Sequence, residues 1–236
     1  MGIQTNIKLR GTVENVIYYQ WNGIHCMRSV PQKVRQTRNT KKAASVFGMA
    51  VRNAAAMRAM LRPVLPDPAS RPMIYDVDRA FREWLQTGPL QANERQDKLP
   101  SFDNLSFNKD SYPGKAFNAV TVTRHGESDL LIRLPALRTG ADVTAPAGTV
   151  RLGITFMAAT LPFNDEMEQQ VLAADTFMPY TESKSEPKEI LLSGVTGLHC
   201  LTLVVMSMRF YKSNNESLPV DQKRWKQAVI VGSFYN

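Results

Sequence analysis

The chain has 236 residues, 43% of them hydrophobic and 21% charged, with a formal net charge of +8. That length can bury the core of one large or two small domains, and that composition excludes a disordered or collagen-like chain. No apolar run approaches the roughly 18–20 residues of a membrane-crossing helix, and two cysteines are too few for a disulfide scaffold.

The opening residues, MGIQTNIKLRGTVENV, carry no apolar signal-peptide core. Gly2 invites N-myristoylation, but Asn6 stands where that motif needs Ser or Thr. The expected location is the cytoplasm, or a particle assembled there. The charge is segregated. Residues 1–66 hold eleven Lys or Arg and one acid, Glu14, a balance of +10; residues 67–236 hold eighteen cations and twenty acids. Such asymmetry points to a polyanionic partner, nucleic acid or an acidic protein surface.

In chain order, the first predicted element is a β-hairpin. VIYYQW and IHCMRSV are rich in β-branched and aromatic residues, and Asn22-Gly23 between them supplies the positive φ values of a two-residue type I′ turn. Pro31 ends the second strand, because it has no N–H to give a ladder. A polar connector with Lys33, Arg35 and Arg38 follows, and a helix is predicted to begin at Asn39 or Thr40, either of which can cap it. Ala43, Val46, Phe47, Ala50, Ala54, Met57 and Leu61 form its apolar stripe, with Arg52 opposite. Pro63 closes it, and the Pro-rich segment PVLPDPASRP links it to a second helix with Met73, Val77, Phe81, Trp84 and Leu85 inward.

From about residue 99 the pattern turns to strands without helices. AVTVTR and LLIRLPAL flank a tight turn, and TVRLGITF alternates, with Val150, Leu152, Ile154 and Phe156 on one face. LHCLTLVVMSMRFY is apolar on both faces, as a central strand is, and AVIVGSFY closes the chain. The expectation is an α+β protein in two parts: a basic hairpin–helix module over 1–98 and a mainly antiparallel β-sandwich, Ig-like or jelly-roll-like, over 99–236.

Two motifs suggest chemistry. Arg124-His125-Gly126-Glu127 resembles the signature of the histidine phosphatase and phosphoglycerate mutase family, which implies a nucleophilic His125 and Arg124 as a phosphate clamp. That family sets its motif on the first strand of an α/β fold and follows it with a helix, whereas here it lies mid-chain and a strand pattern follows. The competing expectation is a hairpin turn at Gly126. The pairs His25-Cys26 and His199-Cys200 match the residue types of a zinc site. Within a strand, however, neighbours point to opposite faces, so each pair offers one ligand, and no metal or cofactor is expected.

The basic region gives the fuller account. Arg28, Lys33, Arg35, Arg38, Lys41 and Lys42 fall within fifteen residues that contain no acid, beside Tyr18, Tyr19 and Trp21. Cations for phosphates and aromatics for bases suit single-stranded nucleic acid. The expected site is those six cations and Arg52, with Tyr18 and Trp21. Lys41 and Lys42 oppose the helix dipole, an arrangement that a bound anion would relieve.

The stretch GTVENVIYYQWNGIHCMRSVPQKVRQTRNTKKAASVFGMA resembles the N-terminal signature of an uncharacterised family of small Bacteroidota proteins. The shared order is Gly-x-Val, an aromatic strand, Asn-Gly, Arg-Ser-x-Pro, then Thr-x-x-Thr before a helix. The resemblance implies a β-sandwich-like remainder and no known activity. The expected function is therefore a non-enzymatic assembly protein of a virion-like or ribonucleoprotein particle. Its alternatives are docking by strand addition without nucleic acid, and a phosphatase using His125.

Overall fold

A computed structural model of the protein describes residues 10–31, 36–65, 71–87, 96–108, 115–163, 168–180, 184–195, 199–213 and 219–236. The fold is α+β, with three sheets whose strands all pair antiparallel. By its contacts the chain forms two compact units, Met1–Lys42 and Ala43–Asn236.

The first unit contains a three-stranded meander: β1 (Gly11–Val13), β2 (Val16–Trp21) and β3 (Ile24–Ser29). Asn22 and Gly23 adopt φ of 48° and 82°, the left-handed values that a two-residue type I′ turn needs. Their turn sets Trp21 opposite Ile24 and carries that register to Val16 opposite Ser29. Sequence reading found the hairpin and missed β1, which Glu14 (φ 50°) and Asn15 join to β2 by an equally tight turn.

Helix α1 spans Arg38–Leu61, with the division between units near its start. Its cap is Thr37, one turn before the expected Asn39 or Thr40. The Thr40 amide donates to Thr37 Oγ1 at 3.2 Å, and the Lys41 amide donates to the Thr37 carbonyl at 3.0 Å. A hydroxyl in the N-cap position satisfies a free amide of the first turn, which draws the helix start back to Thr37. The buried stripe begins only at Ala50 and continues through Ala54, Met57 and Leu61; Phe47 stays 54% exposed. Helix α2 (Arg71–Gln86) buries Met73, Val77, Phe81, Trp84 and Leu85, as its periodicity predicts. An ion pair between Arg58 and Asp78, at 2.6 Å, ties α1 to α2.

The second unit is built on a five-stranded sheet of order β4-β11-β10-β7-β8. Its strands are β4 (Gln96–Asp97), β7 (Arg151–Pro162), β8 (Gln170–Pro179), β10 (Cys200–Tyr211) and β11 (Gln227–Tyr235). A second sheet has the order β5-β6-β9, from Thr121–His125, Asp129–Leu134 and Lys188–Leu192. Strands β7 and β10 pair along all twelve residues.

Both faces of that pair are covered. Met157, Ala159, Leu161, Leu201, Leu203 and Val205 share one cluster with the inward residues of α1 and α2. Ile154, Phe156, Ala158, Val204, Met206 and Met208 share another with Val122, Leu130, Ile132, Leu134 and Leu192 of the smaller sheet. The unit is thus helices on a sheet on a sheet. The helices pack with the strands in one unit, so the compact boundary falls at 42/43 where the change in sequence pattern suggested 98/99. For the same reason β7 is buried on both faces rather than one, while Val150, just before it, is 38% exposed.

Between β10 and β11 the register shifts at Val204/Val205, next to Gly232. A Cβ at Gly232 would lie 3.0 Å from Val122 and 3.1 Å from Phe234, so glycine allows β5 to approach β11. One short helix breaks the expected run of strands: α3 (Lys115–Ala119) buries Ala116 and Phe117 in the sandwich core.

Phe156 is fully buried between the two sheets, and Phe47 projects outward. Replacement of Phe156 by Ala is expected to remove about 3–5 kcal/mol of stability. Phe47→Ala is expected to change it by less than about 0.5 kcal/mol. Urea denaturation followed by circular dichroism measures both.

Candidate polyanion interface and the Arg124 cluster

The register of the N-terminal sheet sorts its side chains onto two faces, because pleating alternates them along each strand. Ile17, Tyr19 and Trp21 share a face with their partners Arg28, Cys26 and Ile24. Val16, Tyr18 and Gln20 share the other with Ser29, Met27 and His25. Trp21 and Ile24, a directly opposed pair at the hairpin tip, are 66% and 67% exposed. The Arg28 guanidinium lies over the Tyr19 ring, 5.7 Å from its centroid, in a cation–π contact.

The structure therefore joins Trp21 and Arg28 on one face and sets Tyr18 on the other. Tyr19, rather than Tyr18, completes the aromatic pair. That substitution was readable in the sequence, since a two-residue Asn-Gly turn fixes which residues oppose one another. Lys33 and Arg35 lie outside the described residues. Arg38, Lys41 and Lys42 are exposed on the opening turns of α1, where no acid stands; Arg52 is exposed further along it.

These cations, of which Arg52 belongs to the second unit, differ from six others there, though not from Arg82, Lys98 or Arg224, which also form no ion pair among the described residues. Among the described residues, Arg28, Arg38, Lys41, Lys42 and Arg52 form no ion pair, whereas Arg58, Arg79, Arg124, Arg133, Arg138 and Lys226 all pair with carboxylates. The charge of those five is unpaired with the chain's own described acids and is available to an outside anion.

Arg124 and His125 close β5, and Gly126 turns the chain with φ 73°. The Arg124 side chain is only 13% exposed, and each of its three guanidinium nitrogens donates to the chain. Nε pairs with Asp97 of β4, Nη1 donates to Asn236 Oδ1 at 2.6 Å, and Nη2 donates to the Tyr235 carbonyl at 2.9 Å. Its charge also lies 5.3 Å from the Phe234 ring centroid. This guanidinium fastens β4 and the end of β11 to β5. His125 is exposed beside it.

His25 and Cys26 project to opposite faces of their sheet, and His199 (φ 54°) is the turn residue before β10 rather than part of it. Among the described residues, no group of three or more His, Cys, Asp or Glu side chains is gathered closely enough to hold a metal ion. Two surface grooves, of about 210 and 260 Å³, are each lined by one carboxylate, Asp221 and Asp103 respectively. Neither supplies a pair of acids held in different environments. The Tyr235 phenol has its pKa raised, first by burial and then by the Cys200 thiol nearby. It packs among Trp84 and Phe163 in the helix-side core. No protein-family model, curated protein or solved structure matches the chain.

Loss of the Arg124 contacts separates a fastening role from a catalytic one. Arg124→Ala is expected to destabilise the fold by about 3 kcal/mol through its charged hydrogen bonds. Exposed His125→Ala is expected to shift it by under about 0.5 kcal/mol. Thermal denaturation reads the pair, and a phosphomonoester panel lost in His125→Ala would restore the phosphatase reading.

Proposed function

We propose that the protein is a non-enzymatic assembly component whose basic N-terminal region docks on a polyanion, nucleic acid or an acidic partner surface. The β-sandwich then supplies protein contacts in a virion-like or ribonucleoprotein particle. The observation that carries this reading is the coincidence of two things in one stretch. Residues 1–66 hold a balance of +10, and five of their described cations, Arg28, Arg38, Lys41, Lys42 and Arg52, have no carboxylate partner among the described residues, although Arg58 pairs with Asp78. Unpaired surface charge of one sign attracts counter-ions, and a polyanion that replaces them gains from their release. Two cations in the first turn of α1 also lie against the helix dipole, which an anion there would offset. We also infer kinship with the Bacteroidota family from the N-terminal signature.

Strand addition is the second reading, favoured by two free edges. Among the described residues, β3 pairs only with β2, and β8 pairs only with β7 over its ten residues. Strand β8 carries a single charge, Asp175, and leaves Phe177 half exposed. An edge this long and this poor in charge lacks the usual protection against pairing with another chain.

Salt-dependent filter binding to single- and double-stranded nucleic acid tests the first reading. Affinity is expected to fall steeply with salt, and replacing Arg28, Arg38, Lys41 and Lys42 by Ala is expected to flatten the log–log slope by about 3. Retention unchanged in that variant would remove the assigned site. For the second reading, size exclusion with light scattering compares the full chain with one that starts at residue 37, which keeps the Thr37 cap. If β3 drives assembly, the shortened chain is expected to run as a monomer; persistence of the larger species would exclude the N-terminal edge.

A further inference from the structure

We propose that one face of the N-terminal sheet, bearing Tyr19, Trp21, Ile24 and Arg28, is a stacking platform for single-stranded nucleic acid. This rests on the polyanion reading and assigns both the polyanion and the face that meets it. Charge alone accounts for attraction to any polyanion, but it gives no reason for an aromatic pair held in the open. Trp21 is 66% exposed at the tip of a well-specified turn, and Ile24 opposite it is 67% exposed. Large apolar side chains displayed in register on one side of a sheet mark a contact surface.

The occupant follows from what surrounds them. The unit that holds the sheet, Met1–Lys42, carries eight Lys or Arg and one acid, and Arg28, within the same face, brings a cation directly beside an aromatic ring. Phosphate complements the charge, and nucleobases complement the rings, since every base has a π-face and stacks without regard to sequence. Tyr19 and Trp21 are two residues apart on one strand, about 6.8 Å, so each ring has room for its own base. In a duplex the bases are stacked on one another and their faces are hidden, so exposed rings have nothing to stack on there. The side chains of the Trp21 face are suited to unpaired bases.

The two faces provide an internal control. Tyr18 is also a tyrosine on β2, but it lies with Met27 and His25 on the far side. Fluorescence anisotropy with a labelled oligothymidylate, the matching duplex, heparin and polyglutamate, using the full chain, tests the assignment. Trp21→Ala is expected to weaken oligothymidylate binding about tenfold, with Tyr19→Ala acting in the same direction. Trp21→Phe, which keeps a stacking ring, is expected to retain most of the affinity, and Tyr18→Ala all of it. Heparin, which has charge but no bases, is expected to bind every variant alike.

Binding of heparin by the native chain with no effect of Trp21→Ala on oligothymidylate would overturn the platform and leave polyanion docking standing. Preference for the duplex, or an equal loss in Tyr18→Ala, would overturn it too. Failure to bind heparin, oligothymidylate or polyglutamate would overturn both readings, and capture of polyglutamate alone would turn the surface toward an acidic protein partner and end the proposal. Trp21 makes little contact with its own chain, so a folding defect does not confuse its removal; circular dichroism of each variant verifies this.

Discussion

Strands β7 and β10 are apolar on both sides, so the sheet they centre can face water on neither. This constraint organises residues 43–236. A sheet of that kind needs a layer on each face, and the chain supplies two different ones. Helices α1 and α2 bring Ala50, Ala54, Met57, Phe81 and Trp84 to one side; β5, β6 and β9 bring Val122, Leu130, Ile132 and Leu192 to the other. Small residues at Ala50 and Ala54 let α1 approach closely, and a T-shaped cluster of Phe81, Phe102 and Trp84 fills the space beneath α2.

The polar fastenings lie at the margins of this packing. Arg124 joins β5 to β4 and to the end of β11, which secures the smaller sheet against the larger at its edge. Arg58 and Asp78 do the same between the helices. A buried or half-buried guanidinium must be given partners, because leaving it without them costs several kcal/mol. A motif that reads as chemistry in the sequence is therefore, in its arginine at least, a structural clamp. The N-terminal sheet follows the opposite rule. Its turn geometry is strongly specified, yet its large side chains and its cations are left toward solvent. Three strands with little buried apolar area hold their shape through the turns.

Much of this was legible from residue patterns. Asn22-Gly23 determined a type I′ hairpin because few residues tolerate positive φ, and α2 followed from Met73, Val77, Phe81 and Trp84 at helical spacing. The both-faced apolarity of LHCLTLVVMSMRFY marked β10 as central. Strand β1 escaped notice because three exposed residues offer no alternation to detect. The start of α1 was misread by one turn because Thr37, Asn39 and Thr40 are all competent caps, and only the hydrogen bond to Thr37 Oγ1 distinguishes them. At the candidate interface, composition paired Tyr18 with Trp21, which cross-strand register separates.

Residue patterns alone gave the hairpin, both long helices, the central strand, the charge segregation and the Asn22-Gly23 turn, because these depend on periodicity, net charge and backbone sterics within a few residues. Tertiary structure decided which layer covers which face, that the helices belong with the strands, and that Arg124 binds Asp97 and Asn236. Those outcomes depend on residues as far apart as Asp97 and Asn236 meeting in space, and no local pattern encodes the meeting. The same holds for Tyr19, Trp21 and Arg28. Their identities are written in the chain, but their shared face exists only once the strands are paired.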